Sequence, residues 1–208
     1  YIRVYVPKPP ATEITAFVPE TAGVTELTAV TKDGEEVNIY VVAKTPESDT
    51  YVLYENDFDT AASASGLSGT ASVSDGCLVI EGGQTVMLPA FIGVFGDYRF
   101  EAVTKVISQA SDLNWQGFLF RSGEDAPMIR TRSRRYNWDS VAFRVHGETT
   151  QWGMHGTLSV GKTYTHAIEV IGDAVTYTID DADVMRKNRD DVIIGNTGNV
   201  GIETAEGL

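Results

Sequence analysis

Gly198-Asn199-Val200-Gly201-Ile202-Glu203-Thr204-Ala205-Glu206-Gly207-Leu208 at one end of the chain, and Tyr1-Ile2-Arg3-Val4-Tyr5-Val6 at the other, read as one β-structure cut in two. The first stretch is turn, strand, turn. The second is a bare strand of β-branched and aromatic residues, closed by Pro7-Lys8-Pro9-Pro10, and proline is confined to strand ends, edges and bulges. Alternation places Ile2, Val4 and Val6 on one face and Tyr1, Arg3 and Tyr5 on the other. A domain that stops one strand short, in a chain that opens on an orphan strand, predicts a self-completing or repeating array.

Working inward, the chain from Tyr51 onward is strand, turn, strand with almost no helical periodicity. Asp75-Gly76 precedes Cys77 to Glu81, and Gly96-Asp97 precedes a long strand from Tyr98 to Ile107. Trp115 to Arg121 alternates around Phe118 and Phe120. Ser140 to His146 sets Val141, Phe143 and Val145 against Ala142, Arg144 and His146. Thr165 to Ile171 turns at Gly172-Asp173 into Val175 to Ile179, and Val192 to Ile194 precedes the last strand. So many short antiparallel strands need two packed sheets. Residues 11–47 form a separate small β-module with runs at Ile14 to Val18, Val24 to Val30 and Val37 to Ala43. The last two are joined as a hairpin through Lys32-Asp33-Gly34-Glu35, where Asp-Gly supplies positive φ.

Composition sets the outer limits. Of 208 residues 42% are hydrophobic, which supports a folded core. The one cysteine, Cys77, cannot bridge within the chain, so stability rests on packing; with no basic neighbour in sequence it reads as a buried, inert thiol. A net charge of −13 argues against nucleic acid as a partner. No apolar run approaches the roughly 20 residues that span a bilayer, so membrane insertion is not expected. An acidic, cysteine-poor, Thr/Gly/Val-rich β-protein fits an extracellular or bacterial cell-surface setting.

A family resemblance rests on Glu55-Asn56-Asp57-Phe58-Asp59, Ser74-Asp75-Gly76-Cys77-Leu78, Phe95 to Glu101, Trp115 to Arg121, Gly161-Lys162-Thr163-Tyr164, the hairpin around Gly172-Asp173, and Gly198 to Ile202. Together these resemble a concanavalin-A-like jelly roll, with similar successions in laminin-G-like domains and the 3-keto-disaccharide hydrolase family. The resemblance spans about residues 51–208 and implies an all-β sandwich, with the domain taken as residues 48–208. In that family one further strand follows the glycine-valine-glycine strand, and Tyr1 to Val6 is similar to it. Residues 11–47 resemble part of an immunoglobulin-like or cadherin-like spacer.

The laminarinase-type enzymes of this fold alternate three carboxylates along one strand, which sets acid and nucleophile ~5–5.5 Å apart. No Glu-x-Asp-x-Glu run occurs here, and Asp180, Asp181 and Asp183 read as turn residues. The three histidines, His146, His155 and His166, lie on separate elements without ligand spacing. His166 shares parity with Ile168 and Val170 and reads as a core histidine. No cofactor is implied; calcium is the one metal that loop carboxylates would suit, with Asp57 and Asp59 as candidates.

The informative cluster is Arg121, Arg130, Arg132, Arg134, Arg135 and Arg144, interleaved with Tyr136, Trp138, His146 and Trp152 in an otherwise acidic chain. Guanidinium forks match carboxylate and sulfate, and aromatic rings stack on sugar faces. Arg121, Tyr136, Trp138, Arg144, His146 and Trp152 are therefore the expected ligand contacts, with acidic glycans as the ligand. The bland alternative is an arginine-rich loop that offsets the protein's own carboxylates. Trp115 divides between the ligand face and the edge of the core.

The expectation is a non-catalytic module of a bacterial extracellular or surface protein. It is held in a head-to-tail array by strand donation from Tyr1, Ile2, Arg3, Val4, Tyr5 and Val6, with residues 1–10 completing a neighbouring copy's sandwich beside Tyr51 to Phe58. Closure within one chain is a second route, and a tandem repeat cut from a longer chain is a third. A carbohydrate-binding module or a glycoside-acting hydrolase of the 3-keto-disaccharide type is the functional alternative.

Overall fold

The computed structural model describes residues 1–7, 23–30, 36–43, 50–123, 127–132, 140–145, 148–172, 174–188 and 197–208. The expected strands at 14–18 and 192–194, the 32–35 turn and the boundary at 46–49 lie outside these residues. The described chain is built from strands and two short 3-10 turns, Ala61–Ala64 and Ala90–Val94.

Two sheets form the sandwich. One has six strands: β1 (Ile2–Pro7), β4 (Thr50–Asn56), β9 (Tyr98–Lys105), β14 (Thr163–Ile171), β15 (Ala174–Ile179) and β16 (Ala182–Asn188). Its order is β16-β15-β14-β9-β1-β4. The second uses β5 (Ser68–Gly69), β8 (Thr85–Met87), β10 (Trp115–Ser122), β11 (Met128–Arg132), β12 (Val141–Val145), β13 (Glu148–Gly153) and β17 (Asn199–Thr204). Its order is β13-β12-β11-β10-β17-β8-β5. Small hairpins pair β2 (Gly23–Val30) with β3 (Glu36–Ala43), and β6 (Ser72–Ser74) with β7 (Cys77–Val79).

Period-two alternation buries one face of each sheet against the other. Phe100, Ile168, Val170 and Tyr177 from the six-stranded sheet meet Phe118, Phe120, Ile129, Phe143 and Ile202 from the seven-stranded one. Phe118 sits at the centre, edge-on to Phe100 with ring centroids 6.2 Å apart. These rings anchor the fold, since buried aromatics carry the largest apolar areas.

β1 lies inside its own chain's sheet, antiparallel to β4 on one side and β9 on the other. Ile2 and Val4 are buried in the common core. On the outer face Arg3 stands between Glu55 and Glu101 in register, and its guanidinium pairs with Glu55. In the single chain the place beside residues 51–56 is therefore filled in cis, by the route of closure within one chain. The sandwich starts at β1, and the β2–β3 hairpin falls between two of its strands rather than ahead of it.

Three expectations are corrected. Cys77 is exposed: the Asp75-Gly76 turn, with both residues at positive φ, sends Leu78 inward and Cys77 outward. Asp183 lies within β16 rather than in a turn. Only Asp180 and Asp181 make the reversal, both left-handed at φ 47° and 63°, the geometry of a type I′ hairpin. Arg130 and Arg132 are on strand β11, not in a loop.

Candidate functional site

The outward face of the seven-stranded sheet is fixed by what points inward. Ile129 and Thr131 face the core on β11, and Val141, Phe143 and Val145 do so on β12. Arg130, Arg132, Ala142 and Arg144 therefore face outward. Registers place Glu203, Gly117, Arg130, Ala142 and Trp152 in one row across five strands. A second row carries Leu119, Met128, Arg144 and Thr149, and Trp115 stands opposite Arg132.

At the middle of the first row the Arg130 guanidinium lies between two indoles. Its carbon is 5.7 Å from the Trp115 ring centroid and 5.8 Å from that of Trp152, within cation–π range of both. Arg130 is only 8% exposed, whereas Trp152 is 39% exposed. The arginine is thus the filling of a stack, and Trp152 offers surface to solvent. Arg144, half-buried on the same face, has a buried Nε without a partner among the described residues. On the opposite sheet the outward cations Arg3, Arg99 and Arg186 pair with Glu55, Glu101 and Asp183.

A buried polar chain supports this face from behind. Thr104 donates to Gln116 Oε1 at 3.1 Å, and Gln116 Nε2 meets His166 Nε2 at 3.2 Å. Because the amide nitrogen can only donate, His166 Nε2 accepts and Nδ1 carries the proton. Nδ1 donates to the Tyr177 hydroxyl at 2.7 Å, which lies 2.7 Å from Thr131 Oγ1. Gln116 and Thr131 are cross-strand partners on β10 and β11, the strands that carry Trp115 and Arg130 on their other face. Burial lowers the His166 pKa to about 3, with nearby His155 adding to the effect and Asp180 opposing it, so the ring stays neutral.

The sequence candidates separate. Trp152 and Arg144 are brought to one face. Arg121 leaves the set: a bulge between Leu119 and Ser122 and a φ of 44° turn its side chain to the end of the sandwich. There it is 2% exposed. Its Nε donates to Gly96 O at 2.8 Å, one terminal nitrogen to Gly172 O at 3.1 Å and the other to Asp97 at 3.1 Å. Tyr136, Trp138 and His146 lie outside the described residues. Asp57 Oδ1 accepts from the Asp59 amide and Asn56 Oδ1 from that of Phe58, so these side chains shape a turn around Phe58, itself at φ 62°. Among the described residues no group of three or more His, Cys, Asp or Glu side chains is placed to hold a metal. His155 is buried, with its amide on Ser140 Oγ and its Nδ1 beside Gly156 O; burial lowers its pKa. Gly117 and Ala142 were not legible as site residues, because only the cross-strand register brings them beside Arg130.

No protein-family model matches the sequence, and no curated protein matches it either. Among solved structures, the chain is similar to a carbohydrate-binding module, CBM66, from Bacillus subtilis, at 17% identity and TM-score 0.47, over 68% of this chain and 92% of that one. It is similar to the Crh5 transglycosylase in complex with NAG at 17% identity and TM-score 0.50, over 73% and 67%. A third is a glycoside hydrolase family 16 endo-glucanase from Bacteroides ovatus, at 12% identity and TM-score 0.41, over 73% and 86%. The transglycosylase superposition, at that identity, speaks to the fold alone, and that fold is the all-β jelly-roll sandwich described above.

Proposed function

We propose that this chain is a carbohydrate-binding module of an extracellular or surface protein, and that the outer face of the seven-stranded sheet holds an acidic polysaccharide. The observation that carries the reading is the Trp115–Arg130–Trp152 stack, with Arg144 on the neighbouring row. Trp152, 39% exposed, offers indole surface against which a sugar ring can pack. Ala142, the cross-strand partner of Trp152, stands two residues before Arg144 on β12, so Arg144 shares the face of Trp152 and is available to an anionic substituent on that sugar. A guanidinium makes paired hydrogen bonds to carboxylate or sulfate. Donation of β1 to a second copy would require it to leave a place where Ile2 and Val4 are buried, and it forms no part of this reading.

The test is a co-sedimentation series with polygalacturonate, dextran sulfate, xylan and a mixed-linkage β-glucan. Retention by an acidic polymer, weakening as salt shortens the screening length from ~10 Å at 0.1 M to ~3 Å at 1 M, is expected. Dextran sulfate and polygalacturonate separate sulfate from carboxylate recognition. Retention on the neutral polymers alone would remove the acidic-ligand assignment, and retention on none of the four would remove the function.

A further inference from the structure

Gly117 occupies the middle of β10, where glycine weakens a strand and offers no side chain to pack. Its backbone is ordinary strand, since its φ is outside the left-handed range, so the position does not use glycine for conformation. What it uses is the missing side chain. A Cβ at Gly117 would overlap the Met128 sulfur and would meet Trp115 Cζ3 at 3.0 Å. The Trp115 indole and the Met128 thioether therefore lie over the glycine, and that is what brings the indole beside Arg130. On the other side of Arg130 the row continues with another small residue, Ala142, and then Trp152. The guanidinium has a small residue on each flank, and an indole closes over it from each side.

We infer that Gly117 is a positioning residue of the proposed binding face: by leaving room for Trp115 over it, it sets the Trp115–Arg130–Trp152 stack. This rests on the functional reading for its consequence, but the geometric claim stands without it. A methyl added at Gly117 overlaps the Met128 sulfur and presses on the Trp115 indole, which has to give by a few tenths of an ångström beside Arg130, while Gln116 and Phe118 lie on the opposite face of β10. A methyl added to Ala142, by contrast, presses on the Trp152 side.

The experiment uses the full chain with 5-fluorotryptophan incorporated. The three fluorine resonances are assigned through single Trp→Phe variants. Gly117→Ala is expected to move the Trp115 resonance most and to lower affinity for polygalacturonate about tenfold, the loss of one ordinary interaction worth about 1.4 kcal/mol. Ala142→Val is expected to move the Trp152 resonance most. Should Gly117→Ala not fold, Gly117→Ala with Met128→Ala removes the sulfur that the methyl overlaps, and the Trp115 shift is still expected. An unmoved Trp115 resonance, or equal movement of all three, overturns the inference. If the parent chain binds neither polygalacturonate nor dextran sulfate, the acidic-ligand reading fails while the fluorine spectra still decide the role of Gly117.

Discussion

Acid is the perturbation that the buried polar chain answers to most directly. His166 is 1% exposed, hydrogen-bonded on both ring nitrogens, and held neutral with a pKa of about 3 by burial. In the unfolded chain the ring titrates near 6.5. Between these values the unfolded state binds a proton that the folded state refuses. The stabilising contribution is therefore complete above about pH 6.5 and is lost as pH falls toward 3. At ~1.36 kcal/mol per pKa unit, moving from pH 7.5 to 5.0 costs about 2 kcal/mol through this residue alone. The assay is urea unfolding of the parent and His166→Asn at both pH values. The variant is less stable at pH 7.5, because the Tyr177 and Gln116 partners are disturbed, but it should lose about 2 kcal/mol less than the parent on acidification. His155, also lowered by burial, is present in both proteins and cancels. Equal losses in the two proteins, or a His166 ring titrating above pH 6 by NMR, would refute the reasoning.

Other consequences follow from the same packing. Arg121→Leu takes the guanidinium from the Gly96 and Gly172 carbonyls and from Asp97, which is about half exposed and keeps the Gly172 amide as a donor, and should cost about 2 kcal/mol in denaturant unfolding, the scale of leaving buried acceptors unsatisfied; a cost under about 1 kcal/mol would show that water replaces the guanidinium. Ile2→Ala should cost about 3 kcal/mol as a core truncation, measured the same way, whereas a negligible cost would mean that β1 is not held in its own sheet. Cys77, exposed on β7, should react stoichiometrically with a thiol reagent in the native protein, and reaction only after denaturation would contradict its placement.

The strands most legible in the sequence are those with clean alternation. Tyr98 to Lys105, Val141 to Val145 and Val175 to Ile179 each carry apolar residues at every second position, and the turns between them carry glycine or aspartate. β11 was hidden because Met128-Ile129-Arg130-Thr131-Arg132 puts arginine outward and threonine inward, which blurs the hydrophobic period. β16 was hidden because Asp180-Asp181 makes a tight reversal without glycine, and Asp183 then sits within the strand itself. The arginine cluster that included Arg121 among the ligand contacts loses it at the bulge between Leu119 and Ser122, since one irregular residue changes the direction of the side chain. The stack around Arg130 draws on β10, β11 and β13, and local sequence holds no record of the cross-strand register that joins them.

The central claim is that an anionic sugar stacks on Trp152 and is held by Arg144. Isothermal titration of polygalacturonate oligomers into the parent chain, Trp152→Ala and Arg144→Gln tests it directly. The prediction is that each substitution weakens binding at least about tenfold, or 1.4 kcal/mol, while both variants still unfold in one cooperative transition. Full affinity in both variants would contradict it.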